Sequence, residues 1–271
     1  MDIDYTFHSH TYRCGHAEGD IKDYVPAAIK NGFKIYGVSD HVLLPGIVQT
    51  WVRGDYSLFD DYIEKYQDAK KLYGSQIQMY LGFESEYSDV FVDYYKSLLK
   101  EKGIDYLICG QHCGFDKDKN PYGYIHSEEG LIRYKEDIIK AMESGLFLYI
   151  AHPDLFFLAA ETVTPFFEKL TKEIIEAAIK YDAVLEINIL GLFRNHHRDG
   201  KVYIDYPCEY FWKEVAKTNI KVVYGGDFHS PTQIGNKKII NKFNDLVNKC
   251  QIKFSNIEEI YSDYSKRIKN I

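Results

Sequence analysis

Seven of the ten histidines fall in short segments where an imidazole or carboxylate ends or closely follows an apolar run. The segments are Phe7-His8-Ser9-His10, Gly15-His16, Ser39-Asp40-His41, Gly82-Phe83-Glu84, Gly110-Gln111-His112, Ala151-His152-Pro153-Asp154 and Gly226-Asp227-Phe228-His229. Imidazole with carboxylate and no thiolate partner suits zinc, manganese or iron. Residues two apart on a strand share a side, so His8 and His10 face one way and could grip one ion. A lone His-x-His pair is commonly an ordinary surface feature; the shared position of the other segments is what gives this one weight. Seven imidazoles with Glu84 and Asp227 make nine ligand side chains, more than one or two catalytic ions with open positions use, so a third divalent ion is expected. Glu84 could bridge two ions through its two oxygens. Glu86, on the same face, is the alternative, and Glu84 is preferred because it sits closer to the strand end. Asp40 and Asp154 each adjoin a candidate ligand histidine and are expected to fix its tautomer by a hydrogen bond. His126, His196 and His197 lie in predicted loops and read first as solvated residues.

For these donors to meet, the ends of several strands must come together. Apolar and β-branched runs predict seven strands, at 3–8, 34–39, 77–83, 105–110, 146–151, 183–188 and 221–225. Helical periodicity between them predicts helices at 20–31, 57–73, 90–101, 127–144, 164–181, 208–218 and 235–249. Gly32, Gly74, Gly103 and Gly145 each closely follow a helical stretch, as a C-terminal cap does. Strict alternation of strand and helix predicts an α/β fold with a parallel sheet. This many units favour closure into a barrel, with an open doubly wound sheet as the alternative. Barrel sites are assembled at the C-terminal strand ends, one or two groups from each of several strands, and the candidate ligands are distributed in that way. The longer loops, 42–56, 113–126 and 189–207, belong to the same mouth.

A chain of 271 residues can bury a full core as one domain, and no linker or low-complexity block divides it. A net charge of -7 argues against a general nucleic-acid surface, which usually needs a basic face. No apolar run is long enough to cross a membrane, and the N-terminus lacks a secretory pattern. Five scattered cysteines, an odd number without a Cys-x-x-Cys pair, point to a reducing, cytoplasmic compartment. Cys109 and Cys113 straddle a strand end and read as structural.

Taken together, these segments resemble the polymerase and histidinol phosphatase (PHP) superfamily, and within it the monofunctional histidinol-phosphate phosphatases. The opening stretch from His8 through His16 is the most specific part, and the other segments follow in family order along nearly the whole chain. The resemblance implies a distorted (β/α)7 TIM-like barrel spanning 1–271 as one metallophosphoesterase domain with a trinuclear centre. It implies one ion on His8, His10, Glu84 and Asp227, a second on His16, His41 and His229, and a third on Glu84, His112 and His152. It also implies two phosphate-holding arginines, one after the His-Pro-Asp segment and one in the loop after the sixth strand. Arg194 fits the second. The stretch Pro153 to Ala160 holds no arginine, and Glu161 follows it.

The implied activity is hydrolysis of a phosphomonoester, most specifically L-histidinol phosphate, by a hydroxide held between ions and attacking phosphorus in line with the leaving oxygen. Arg194 would orient the ester by a bidentate contact, and Asp227, His229 or a bound water would protonate the leaving alkoxide. Arg53, Lys117 and His197, one in each long loop, are candidates to read the rest of the small phosphorylated substrate. The alternatives are another ester (a sugar phosphate, a nucleotide or phosphotyrosine) and a non-catalytic metal-binding regulatory module. An exonuclease, also found in the superfamily, would want a basic groove. Oligomeric state is not legible in the sequence.

Overall fold

Apolar runs with both faces covered are what a parallel sheet wrapped in helices requires, and each predicted run coincides with all or most of a strand. The computed structural model describes residues 1–271 apart from His126, Asn195 and Asp199. The strands are β1 (Tyr5–Thr6), β2 (Ile35–Val38), β3 (Gln78–Ser85), β4 (Tyr106–Gly110), β5 (Ile150–Ala151), β6 (Leu185–Asn188) and β7 (Val222–Gly225). They pair in chain order and in parallel, with Tyr5 opposite Ile35, Gly82 opposite Tyr106, Ala151 opposite Glu186 and Val222 opposite Leu185 among the registers.

The two ends of this sheet meet. Ser9 bridges Phe228 in parallel, His10 N donates to Phe228 O at 2.8 Å, and Asp227 N donates to His8 O at 2.9 Å. The sheet therefore curls into a seven-stranded TIM-like barrel, and the open-sheet alternative is excluded. Contact just beyond β1 and β7 brings their metal-binding segments side by side.

Helices α1 (Ile21–Lys30), α2 (Phe59–Tyr73), α3 (Val92–Glu101), α4 (Glu128–Ser144), α5 (Pro165–Lys180), α6 (Glu209–Ala216) and α7 (Lys237–Cys250) cover the barrel. Their ends follow local chemistry: Asp20 and Asp23 form a capping box on α1, and Gly145 ends α4 in the left-handed region at φ +65. Gly74 also caps a helix, but with φ -63, so no left-handed turn is needed there. An eighth helix, α8 (Ile257–Ile268), was not expected from periodicity. Asn256 caps it, and Tyr264 on its buried face accepts from Leu107 N and donates to Leu146 O, closing the N-terminal end of the barrel.

The long loops rise from the C-terminal ends of β2, β4 and β6. Two of them fold into small hairpins, Gly114–Phe115 with Pro121–Tyr122 and His197–Arg198 with Lys201–Val202. β3 is longer than expected and runs to Ser85, which places Glu84 inside a strand. Among the described residues, no helix is long and apolar enough to cross a membrane.

Candidate metal centre

Glu84 is the hub. Its Oε1 lies 2.8 Å from His152 Nε2, 3.3 Å from His8 Nε2 and 3.5 Å from His112 Nε2, and its Oε2 lies 3.0 Å from His41 Nδ1 and 3.4 Å from His10 Nε2. Five imidazoles thus surround one buried carboxylate. Asp227 Oδ1 stands 3.0 Å from His10 Nε2 and 3.5 Å from both His8 Nε2 and His229 Nδ1. The His16 ring completes the set, 4.9 Å from that of His229 and 5.4 Å from that of His41. All nine residues singled out from the sequence therefore converge. The cluster is graded, with His8 and His10 fully buried, His112, His229 and Asp227 partly open, and His16 exposed at the rim.

The backbone is bent to achieve this. His152 and Asp227 hold φ of +36 and +52, a region that side-chain-bearing residues rarely adopt and that costs about 1–3 kcal/mol each. At both positions the chain turns sharply at the end of a strand and aims a donor inward.

The donors fit a divalent cation. His8 Nδ1 lies 2.8 Å from Glu186 Oε2, His16 Nδ1 3.0 Å from Cys14 O, His112 Nδ1 3.3 Å from Glu86 Oε1 and His229 Nδ1 2.8 Å from Asp227 O. An imidazole whose Nδ1–H is engaged in this way presents a bare Nε2 for coordination. On the inner side, His8 Nε2, both nitrogens of His10, His41 Nδ1 and Glu84 Oε2 are buried without a hydrogen-bond partner. They crowd carboxylate or imidazole neighbours without aligning to donate, an arrangement that costs free energy unless a cation joins them. Among the described residues, sets whose ligand atoms all lie within 4.8 Å include His10 with His41 and His229, His8 with His10 and Asp227, and His8 with Glu84 and His152. His8 and His10 are thus shared between neighbouring sets.

The protonation pattern agrees. Burial, reinforced by His229 and His41, holds His10 neutral, and burial pushes His41 down to about 4. Burial opposes the charge on Glu84 and Asp227, but the surrounding imidazoles outweigh it and keep both carboxylates ionised. Burial also works against charge on His8, yet Glu186, Glu84 and Asp227 together raise its pKa. Neutral His10 and His41 with ionised Glu84 and Asp227 are the charge states that ligation demands, whereas His8, held protonated by its three carboxylate neighbours, must give up that proton to an incoming cation.

Other assignments change. Asp154 does not orient His152; its Oδ2 accepts from Cys208 N at 2.6 Å and Trp212 Nε1 at 3.0 Å, fastening the start of α6. Asp40 accepts from the backbone and hydroxyl of Thr11, and the imidazole it approaches is His10, at 3.8 Å, instead of the adjoining His41. Arg53 is not a loop residue open to substrate: it is buried, and its donors are taken by Gln49, Val42 and Glu86. Lys117 is exposed at a hairpin tip beside Asp116. His197 is exposed with its ring 4.7 Å from that of His196, which pairs with Asp205. Arg194 is exposed, its guanidinium 5.9 Å from the Tyr206 ring centre. His126 lies outside the described residues.

Two residues escaped the sequence reading. Glu186 holds His8, and Asn188 donates to Asp227 Oδ2 at 3.0 Å. Their signal was present in Leu185-Glu186-Ile187-Asn188, where polar residues two apart interrupt a buried strand and so share a face.

The model of the PHP domain matches residues 6–189, more than half of the chain. The chain belongs to the PHP domain family. The match takes in the segments from His8 to His152, while Asp227 and His229 of this PHP protein lie beyond it. The probable histidinol-phosphatase of Schizosaccharomyces pombe is 26% identical over 254 residues, covering 84% of this chain and 81% of its own length. That of Deinococcus radiodurans is 27% identical over 237 residues, covering 84% and 87%. Histidinol phosphate phosphatase from Lactococcus lactis, solved with zinc, L-histidinol and phosphate, superposes with a TM-score of 0.67 at 16% identity, covering 93% of this chain and 95% of that one. At that identity the likeness is one of fold.

Proposed function

We propose that this PHP protein is a metal-dependent phosphomonoesterase that hydrolyses L-histidinol phosphate to L-histidinol and phosphate. The observation that carries this reading is the ring of five imidazoles around Glu84 with Asp227 beside it, in a family two of whose matched relatives are named probable histidinol-phosphatases. The Lactococcus lactis protein of the same fold, with zinc, L-histidinol and phosphate bound, supports both the cofactor and the substrate class. We take the whole chain, 1–271, as the metallophosphoesterase domain, acting on a small phosphorylated molecule. Free, buried cysteines throughout are compatible with work in the cytoplasm.

We assign three divalent ions, of zinc, manganese or iron, to the sets His8, His10, Glu84 and Asp227; His16, His41 and His229; and Glu84, His112 and His152. Bound there, the ions would neutralise charge on the phosphoryl oxygens and acidify water near neutral pH. The chain supplies the rest. His8, Glu84 and His152 form the buried floor, whereas His16, His112, His229 and Asp227 face the opening through which an ester enters. Arg194, exposed in the loop after β6 and backed by Tyr206, is assigned to the phosphate, which its planar fork can grip bidentately. Asp227 and His229 stand on the solvent side and are the candidates, with a bound water, to relay the proton released by the attacking water to the leaving alkoxide.

A second reading keeps the chemistry and changes the ester. Residues 153–161 lack the arginine that the resemblance implies, and Phe156 and Phe157 from that segment are buried in the core. A matched Acetivibrio thermocellus relative, 21% identical over 266 residues, is named only as a probable phosphatase. Phosphate release by the metal-loaded protein from L-histidinol phosphate, measured beside a sugar phosphate, a nucleoside monophosphate and phosphotyrosine, separates the two. A rate on L-histidinol phosphate no better than on the others would sink the first reading.

A further inference from the structure

Arg53 and Glu86 form an ion pair in an unusual place. Arg53 is 1% exposed, and its Nη2 lies 2.6 Å from Glu86 Oε2, while its Nε donates to Gln49 Oε1 at 2.8 Å and its Nη1 to Val42 O at 2.9 Å. The other oxygen of Glu86 lies 3.3 Å from His112 Nδ1, and His112 Nε2 in turn faces Glu84 Oε1 at 3.5 Å. A relay of three side chains thus runs from the root of the 42–56 loop to the hub of the site.

A buried ion pair is a poor device for stability, because desolvation offsets most of its attraction and an apolar pair of similar volume does as well. What such a pair does well is hold a carboxylate at one place and angle. Glu186 contacts His8 without a guanidinium behind it among the described residues; His112 lies nearer the opening, where its ring has more room to turn.

We propose that Arg53 and Glu86 are positioning residues for His112, the guanidinium fixing the carboxylate and the carboxylate holding the ring with its proton on Nδ1 and Nε2 turned to the metal centre. This rests on the metal-centre reading above. It also ties the loop that presents Trp51, 65% exposed, to the ligand end of the same relay.

The test uses the full chain and zinc as probe, with three readouts: zinc affinity by chelator competition, the ¹⁵N and proton signals of His112 in the zinc-loaded protein, and the melting curve of the metal-free protein. Wild type should carry its His112 proton on Nδ1; a proton on Nε2 overturns the proposal without any variant. E86Q strands the buried Arg53 guanidinium but keeps an acceptor oxygen for His112, so it should melt below wild type and lose only part of the roughly 10–100-fold in zinc affinity typical of removing a partner that orients a ligand. The paired variant R53M/E86L removes both charges together, leaves no orphaned ion, and should melt near wild type and show the full roughly 10–100-fold loss, even where E86Q alone fails to fold. Wild-type zinc affinity and an unchanged His112 signal in either folded variant overturn the proposal. Failure of wild type to bind zinc would instead sink the metal centre itself.

Discussion

His8 Nδ1 and Glu186 Oε2 stand 2.8 Å apart, both fully buried, at the floor of the site. The carboxylate fixes the ring so that Nε2 points at Glu84 and Asp227. Replacing Glu186 with Leu removes the acceptor at similar size and leaves His8 Nδ1–H without a partner. Metal affinity should fall about 10–100-fold, with turnover falling alongside it, whereas Glu186→Gln, which keeps an acceptor oxygen, should lose less. Metal titration of the two purified variants checks the ranking; equal affinities would remove Glu186 from the orienting role.

Gly110 lies directly against the Glu84 carboxylate, and a Cβ there would overlap it. Gly110→Ala removes no ligand and no hydrogen-bonding group, yet it must push the hub carboxylate aside. Overpacking of this kind costs about 1–3 kcal/mol in stability. The larger effect should be on metal content, because Glu84 faces five imidazoles at once. Elemental analysis of folded Gly110→Ala should find fewer ions per chain than wild type; full occupancy would show that the strand can shift to absorb the methyl group.

The barrel was legible because its strands are short apolar runs buried on both faces and its helices carry a separate period, so the two signals do not blur. The nine candidate ligands were legible for a related reason: polar residues at the ends of such runs stand out. What escaped depends on contacts distant in sequence. Glu186 reads as a lone charge in a strand until His8, 178 residues away, is folded onto it. Arg53 reads as a solvated loop cation, since nothing local shows that Gln49, Val42 and Glu86 enclose it. Asp154 beside His152 invited a local pairing, but the sharp turn at His152 sends the carboxylate to Cys208 and Trp212 instead. Helix α8 lies beyond the last strand, where repetition of the strand-helix unit no longer points to another element.

Arg194 sits at the mouth with its guanidinium against Tyr206 and no part in the buried cluster. Truncation to Ala should leave metal content and melting temperature near wild type, because an exposed residue of this kind contributes little to stability. Under the assignment of Arg194 to phosphate, KM should rise, and kcat should fall as well where the contact tightens in the transition state. Steady-state kinetics on L-histidinol phosphate read this out, and Arg194→Lys, which keeps charge but not the fork, should recover only part of the loss. Unchanged kinetics in Arg194→Ala would leave the phosphate to other groups.

Removing the ions should be felt in the fold as well as in the chemistry. His8 Nε2, both His10 nitrogens, His41 Nδ1 and Glu84 Oε2 are buried without hydrogen-bond partners, so the apo protein carries a cost that a bound cation relieves. Anything that binds the native state and not the unfolded one stabilises it by mass action, by about 4 kcal/mol at 1,000 times its dissociation constant. Chelator-treated protein should therefore melt several degrees lower than the loaded form, lose phosphatase activity, and regain both on addition of zinc or manganese. His10→Ala, which removes a donor shared by neighbouring ligand sets, should show a smaller metal-induced rise in melting temperature and no recovery of turnover. A scan of wild type and His10→Ala with and without added metal decides the point: an equal rise in both proteins, with turnover retained, would mean that His10 is not a ligand.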